Sequence, residues 1–134
     1  MAAILNLPGT ILHETAHFAV GGILNAKPTG ISLWPKKVDD AYVIGNVGFR
    51  NLTFYNALPA ALAPLLLLWV GYYIDRYFFN WFSLSIGSYL LYILLLSVII
   101  ENAMPSPADF KAGFRHIWGV IFYFGVVVAL LVFL

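Results

Sequence analysis

The chain contains no cysteine. That absence removes disulfides, thiolate-held zinc and iron–sulfur clusters together, and leaves no mark of redox compartment. Charge is scarce as well. Charged residues are 10% of the 134, against roughly a quarter in a soluble domain. With a net charge of +1 there is no basic surface to hold nucleic acid. No basic region precedes the amino-terminal apolar stretch and no evident small-residue cleavage site follows it, so a secretory signal is not expected there. Internal repeats and low-complexity linkers are lacking too, and the chain reads as one domain over residues 1–134.

What is abundant is apolar: 62% of the residues are hydrophobic. A soluble fold this short would leave much of that surface in water and aggregate, whereas a bilayer solvates it. About 20 mostly apolar residues cross a membrane, and four segments qualify: about Ala2 to Asn25, Tyr55 to Ile74, Asn80 to Ile100, and Phe110 to Leu134. The expected fold is an all-α polytopic membrane protein of about four transmembrane helices. Trp69, Trp81, Trp118, Tyr72, Tyr73 and Tyr77 fall mostly near helix ends, as interfacial aromatics do.

A polar stretch separates the first two helices. Gly30–Trp34 and Tyr42–Phe49 are rich in β-branched and aromatic residues, with Pro35 and the run Lys36-Lys37-Val38-Asp39-Asp40 between them. This predicts a β-hairpin with a charged turn, associated with the membrane surface and covered along its edges by protein. Lys27, Lys36, Lys37, Arg50, Lys111 and Arg115 fall on one side of the expected membrane and Arg76 alone on the other. That imbalance puts the hairpin and the Asp109 region in the cytoplasm, with both termini outside.

The first helix carries His13-Glu14-Thr15-Ala16-His17, the HExxH pattern. Residues four apart share a helix face, so both imidazoles reach one metal ion while Glu14 projects nearby as a general base. Ionisable groups in an apolar helix are costly, roughly 2.5–3.5 kcal/mol for a charge at the centre, and metal ligation offsets that cost. A catalytic zinc needs a third protein ligand and an open position for water. The candidates are Asp39, Asp40, Asp75, Glu101, Asp109 and His116. Asp75 lies on the wrong side of the expected membrane, Asp39 and Asp40 belong to a solvated turn, and His116 sits beside Arg115 at an interface. Asp109 follows Pro105-Ser106-Pro107, where two prolines interrupt helix and force an extended segment near the His17 end of the first helix. Asp109 is the preferred ligand.

These residues resemble the site-2 protease family of intramembrane metalloproteases. The resemblance covers most of the chain: the HExxH helix, its Gly21-Gly22-Ile-Leu-Asn25-Ala-Lys-Pro28 exit, the following Gly30-Ile-Ser-Leu-Trp34 hairpin, and Ala63-Pro64 as the small-residue–proline step. In that family an aspartate after Asn-x-x-Pro-x-Pro is the third ligand. Asn102, Pro105 and Pro107 keep the spacing, while Asp109 comes one residue early and Phe110 replaces the usual glycine. A Pro-Ser-x-x-Asp version, met here by Pro105, Ser106 and Asp109, is similar to small relatives. The resemblance implies a Zn2+ site on His13, His17 and Asp109, and Glu14 as the catalytic base. It also implies that Asn102 holds substrate backbone and that the hairpin receives an unwound substrate as an added strand. The expected function is hydrolysis of a peptide bond in or near a transmembrane segment of a partner protein. The rival expectation is a catalytically silent subunit or scaffold of a larger membrane complex, against which the intact Glu14 argues.

Overall fold

A computed structural model describes residues 7–33, 36–38, 41–43 and 46–134. Helix α1 (Leu7–Ile23) leads into strands β1 (Pro28–Ser32), β2 (Lys36–Val38), β3 (Ala41–Val43) and β4 (Asn46–Phe49). Then follow α2 (Ala57–Leu62), a 3-10 turn (Ala63–Leu66), α3 (Leu67–Trp81), α4 (Ile86–Ala103), α5 (Pro107–Gly113) and α6 (Ile117–Phe133).

The expected hairpin is present as two nested antiparallel ladders. β1 pairs with β4 through Gly30↔Gly48, Ile31↔Val47 and Ser32↔Asn46. β2 pairs with β3 through Lys36↔Val43, Lys37↔Tyr42 and Val38↔Ala41. Three residues separate β1 from β2 but only two separate β3 from β4, so one ladder is offset from the other by a residue. Asp39 and Asp40, weighed as ligands, lie outside the described residues, as do Trp34 and Pro35.

The helices differ from the expected four spans. Ala57–Trp81 (25 residues) and Ile86–Ala103 (18 residues) are long and apolar enough to cross a membrane. A third would be the pair α5 and α6 if its two helices count as one span, but they meet at 90°. The expected span Phe110–Leu134 is therefore not one helix. Gly113 ends α5, where a Cβ would come within 2.9 Å of the Ala61 Cβ, and His116 has non-helical backbone angles before α6 starts. Helix α1 has 17 residues; Leu24 and Asn25 of its expected span form a turn, and the part before Leu7 lies outside the described residues. The second expected span, Tyr55 to Ile74, continues as helix through Asp75 and Arg76 to Trp81. Asp75 is not stranded there, since it accepts the Tyr92 hydroxyl of the neighbouring helix α4. The start of α4 moves from Asn80 to Ile86 because Ser85 caps it, exchanging hydrogen bonds with Ser88.

The interior is built from small residues. Ala57, Ala60, Ala61, Ala63 and Ala103 are buried, and the fully buried large side chains include Phe78. Large aliphatic and aromatic side chains instead cover the outside, among them Trp69, Trp81, Trp118, Leu131 and Phe133. Small residues between helices and large ones outside is the pattern of helices that pack by close backbone approach in lipid. Gly9 shows the approach directly, because a Cβ there would overlap the Asn102 side-chain amide of α4. At the other end of α1, a Cβ on Gly21 would strike the Phe49 ring of β4.

Asn56 locks the start of α2 in place. Its buried amide donates to the Leu24 and Asn51 carbonyls at 3.2 and 3.0 Å, and its side-chain oxygen accepts the Thr53 N–H at 2.7 Å. One side chain thus joins the end of α1, the exit of β4 and the start of α2, which sets α2 beside His17.

Candidate metal centre

Gly9, Glu14, His17 and Gly21 form the buried face of α1, and His13 sits on the same face one turn before His17. The glycines at either end let neighbouring elements come close, so the two histidines meet backbone and not bulky side chains. The His13 Nδ1 lies 2.7 Å from the Asn102 carbonyl oxygen, and the His17 Nδ1 lies 2.7 Å from the Ala60 carbonyl oxygen. A carbonyl only accepts, so each Nδ1 carries a proton, and in the neutral ring the Nε2 presents its lone pair.

Both lone pairs point to the same place. The two Nε2 atoms are 3.1 Å apart. Asp109 straddles them, Oδ2 at 3.4 Å from the His13 Nε2 and Oδ1 at 3.3 Å from the His17 Nε2. One ligand atom from each of the three residues falls within 4.8 Å of the others, and this is the one such group of potential metal ligands among the described residues.

The carboxylate is aimed by its own helix. Ser106 is the N-cap of α5, with Pro107 in the first turn. The Ser106 N–H donates to Asp109 Oδ2 at 2.6 Å and the Asp109 N–H donates to the Ser106 hydroxyl at 3.2 Å. This reciprocal box fixes Asp109 as the third residue of the helix and turns its carboxylate toward α1. The prolines thus do more than interrupt helix: they set up the short helix whose first turn delivers the ligand.

Two nitrogens and two carboxylate oxygens, meeting pairwise at 3.1–3.4 Å, repel unless a positive charge lies between them. A proton on one Nε2 relieves one contact at a time, whereas a cation relieves all three. For metal–ligand bonds of about 2.0–2.1 Å, a tetrahedral site has ligand–ligand edges of about 3.3–3.4 Å. The 3.1 Å between the two nitrogens is close to such an edge, and each nitrogen faces its own carboxylate oxygen at 3.3–3.4 Å, so the donor set fits a divalent ion that accepts nitrogen and oxygen. The Nδ1–H bonds to carbonyls are the outer contacts that orient metal-binding imidazoles.

No family model, curated protein or solved structure matches the chain. The reading of the centre therefore rests on its own chemistry.

Glu14 is 6% exposed. It is close enough to His13, His17 and Asp109 to interact with all three electrostatically. The centre is open on one side: the His13 and Asp109 side chains keep 12% and 21% of their surface exposed, while His17 is sealed at 3%.

Of the other expected ligands, Glu101 is exposed and His116 precedes α6, and neither joins the cluster. Asn102 is 9% exposed, and its amide donates to the Val98 carbonyl at 2.8 Å while packing against Gly9. What it gives the site directly is its backbone carbonyl. Sequence reasoning missed Ala60 for the same reason, since a backbone acceptor has no residue signature of its own. Ser106 was within reach, because Ser-Pro-x-Asp is a helix-start signature.

Proposed function

We propose that this chain is an integral membrane zinc endopeptidase that hydrolyses peptide bonds in or near a transmembrane segment of a partner protein. The observation that carries the proposal is the convergence of the His13 and His17 Nε2 atoms and the Asp109 carboxylate beside the buried Glu14. The resemblance of these residues to the site-2 protease family supports the same reading. The apolar exterior and the two or three helices of spanning length support the membrane location. The excess of Lys and Arg around the hairpin and α5 favours a cytoplasmic site.

His13, His17 and Asp109 would hold the ion. Zinc supplies a Lewis acid there, making water acidic near neutral pH and polarising a carbonyl. The protein's own part in the reaction falls to Glu14. Its carboxylate takes a proton from the attacking water as the C–O bond forms, and returns it to the amide nitrogen as the C–N bond breaks. The Asn102 and Ala60 carbonyls keep both imidazoles in the ligating tautomer throughout. β1 and β4 are short strands beside α1, and an extended substrate segment would add to that ladder as a further strand.

The test is metal content of the full chain purified in detergent. Wild type is expected to hold about one zinc per chain. His13→Ala and Asp109→Ala should lose it, and Glu14→Gln should keep it while abolishing cleavage of a synthetic transmembrane peptide. Wild type that takes up no zinc after resupply would sink the proposal.

A further inference from the structure

Each histidine Nδ1 rests on a helix carbonyl, and helix carbonyls are ordinarily taken by the N–H four residues on. For Ala60 the residue four on is Pro64, which has no N–H. The chain responds by tightening into the 3-10 turn Ala63–Leu66, and His17 occupies the Ala60 carbonyl from α1. For Asn102, in the last turn of α4, the residue three on is Pro105, again without a donor. The residue four on is Ser106, whose N–H is committed to Asp109.

The same device occurs away from the site. Tyr55 lies four residues before Pro59, and its carbonyl accepts the Tyr123 hydroxyl of α6. At Ala60 and Tyr55 a proline withholds the donor four residues on, at Asn102 Pro105 removes the one three residues on, and in each place a side chain from another helix takes the acceptor.

We propose that Pro64 is a positioning residue for the metal centre. It leaves the Ala60 carbonyl to the His17 Nδ1–H and so holds the His17 Nε2 free for the ion. This inference rests on the metal-site reading above, and its test separates the two. In Pro64→Ala the new N–H competes for the Ala60 carbonyl, and the His17 ring loses its fixed tautomer.

The measurement is zinc affinity of the full chain in detergent, by competition with a chelator, for wild type, Pro64→Ala and the control Pro59→Ala. Loss of an outer contact to a metal-binding histidine weakens binding by about 10–100-fold. Pro64→Ala should therefore bind zinc at least about tenfold more weakly, with Pro59→Ala unchanged. The thermal midpoint of the metal-free Pro64→Ala protein should hold or rise, because a regular helical hydrogen bond becomes available. A proline needed only for folding would lower that midpoint, and Pro64→Gly would then repeat the comparison with the N–H restored and no side chain.

Nitrogen-15 NMR of labelled histidine in the metal-free proteins gives an independent reading. It should show His17 protonated at Nδ1 in wild type and mixed in Pro64→Ala. Zinc affinity equal to wild type together with an unchanged His17 tautomer would overturn the role of Pro64 while leaving the metal site standing. Wild type without zinc affinity would remove the metal reading, and the tautomer comparison would still decide whether Pro64 orients His17.

Discussion

Replacing Gly9 with alanine tests how closely the site depends on the approach of α1 to α4. A Cβ at Gly9 would overlap the Asn102 amide nitrogen, lie 2.6 Å from its Cγ and 2.9 Å from Val98 Cγ1. All three distances are below ordinary carbon contact, so α1 must move away or Asn102 must abandon its bond to Val98. Inserting a methyl into a packed interface costs about 1–3 kcal/mol, and the Asn102–Val98 hydrogen bond about 0.5–1.5 kcal/mol if lost. The displaced helix also carries His13, whose 2.7 Å contact to the Asn102 carbonyl lengthens with it. Gly9→Ala should therefore lower unfolding free energy in detergent by about 1–3 kcal/mol and weaken zinc binding in parallel. Asn102→Ala removes the clashing amide but keeps the backbone carbonyl that His13 uses. In that background Gly9→Ala should cost less, with a coupling of at least about 1 kcal/mol in a double-mutant cycle. The rescue should be partial, because Val98 Cγ1 remains at 2.9 Å. Equal cost in both backgrounds would refute the contact as the source of the effect.

Two further outcomes follow from the same structure. Ser106→Ala should lose about 0.5–2 kcal/mol as an N-cap and weaken zinc binding, with Ser106→Thr restoring both by chelator competition. Gly119→Ala should destabilise the chain by about 1–3 kcal/mol, since its Cβ would strike the Phe54 carbonyl, but leave zinc affinity unchanged because α6 holds no ligand. Unfolding curves and zinc titrations on the same samples separate these effects.

The histidine pair was legible because helical periodicity alone puts residues four apart on one face. Asp109 was legible because prolines at 105 and 107 mark a break, and a break near a helix end brings a side chain round. The hairpin was legible from its β-branched runs, although its one-residue offset was not. The right-angled turn between α5 and α6 was hidden by the hydropathy of the segment, in which Gly113, Arg115 and His116 are brief interruptions. The continuation of α3 past Ile74 was hidden by Asp75 and Arg76, which read as a helix end until Tyr92 supplies a partner from α4. Asn56 gave no sign at all, because its bond to the Leu24 carbonyl, 32 residues back, exists only once the fold brings the end of α1 beside the start of α2.

The order of the ligands along the chain sets a clock. His13 and His17 are made early, and Asp109 follows 92 residues after His17. At synthesis rates of about 5–20 residues per second, that interval is about 5–20 s. Through it the nascent chain offers the two nitrogens without the Asp109 carboxylate, and the Ala60 and Asn102 carbonyls that steer the imidazoles are themselves made only 43 and 85 residues after His17. In the proposed centre firm capture would wait for α5, so a bound ion would report that α1, α2, α4 and α5 have come together.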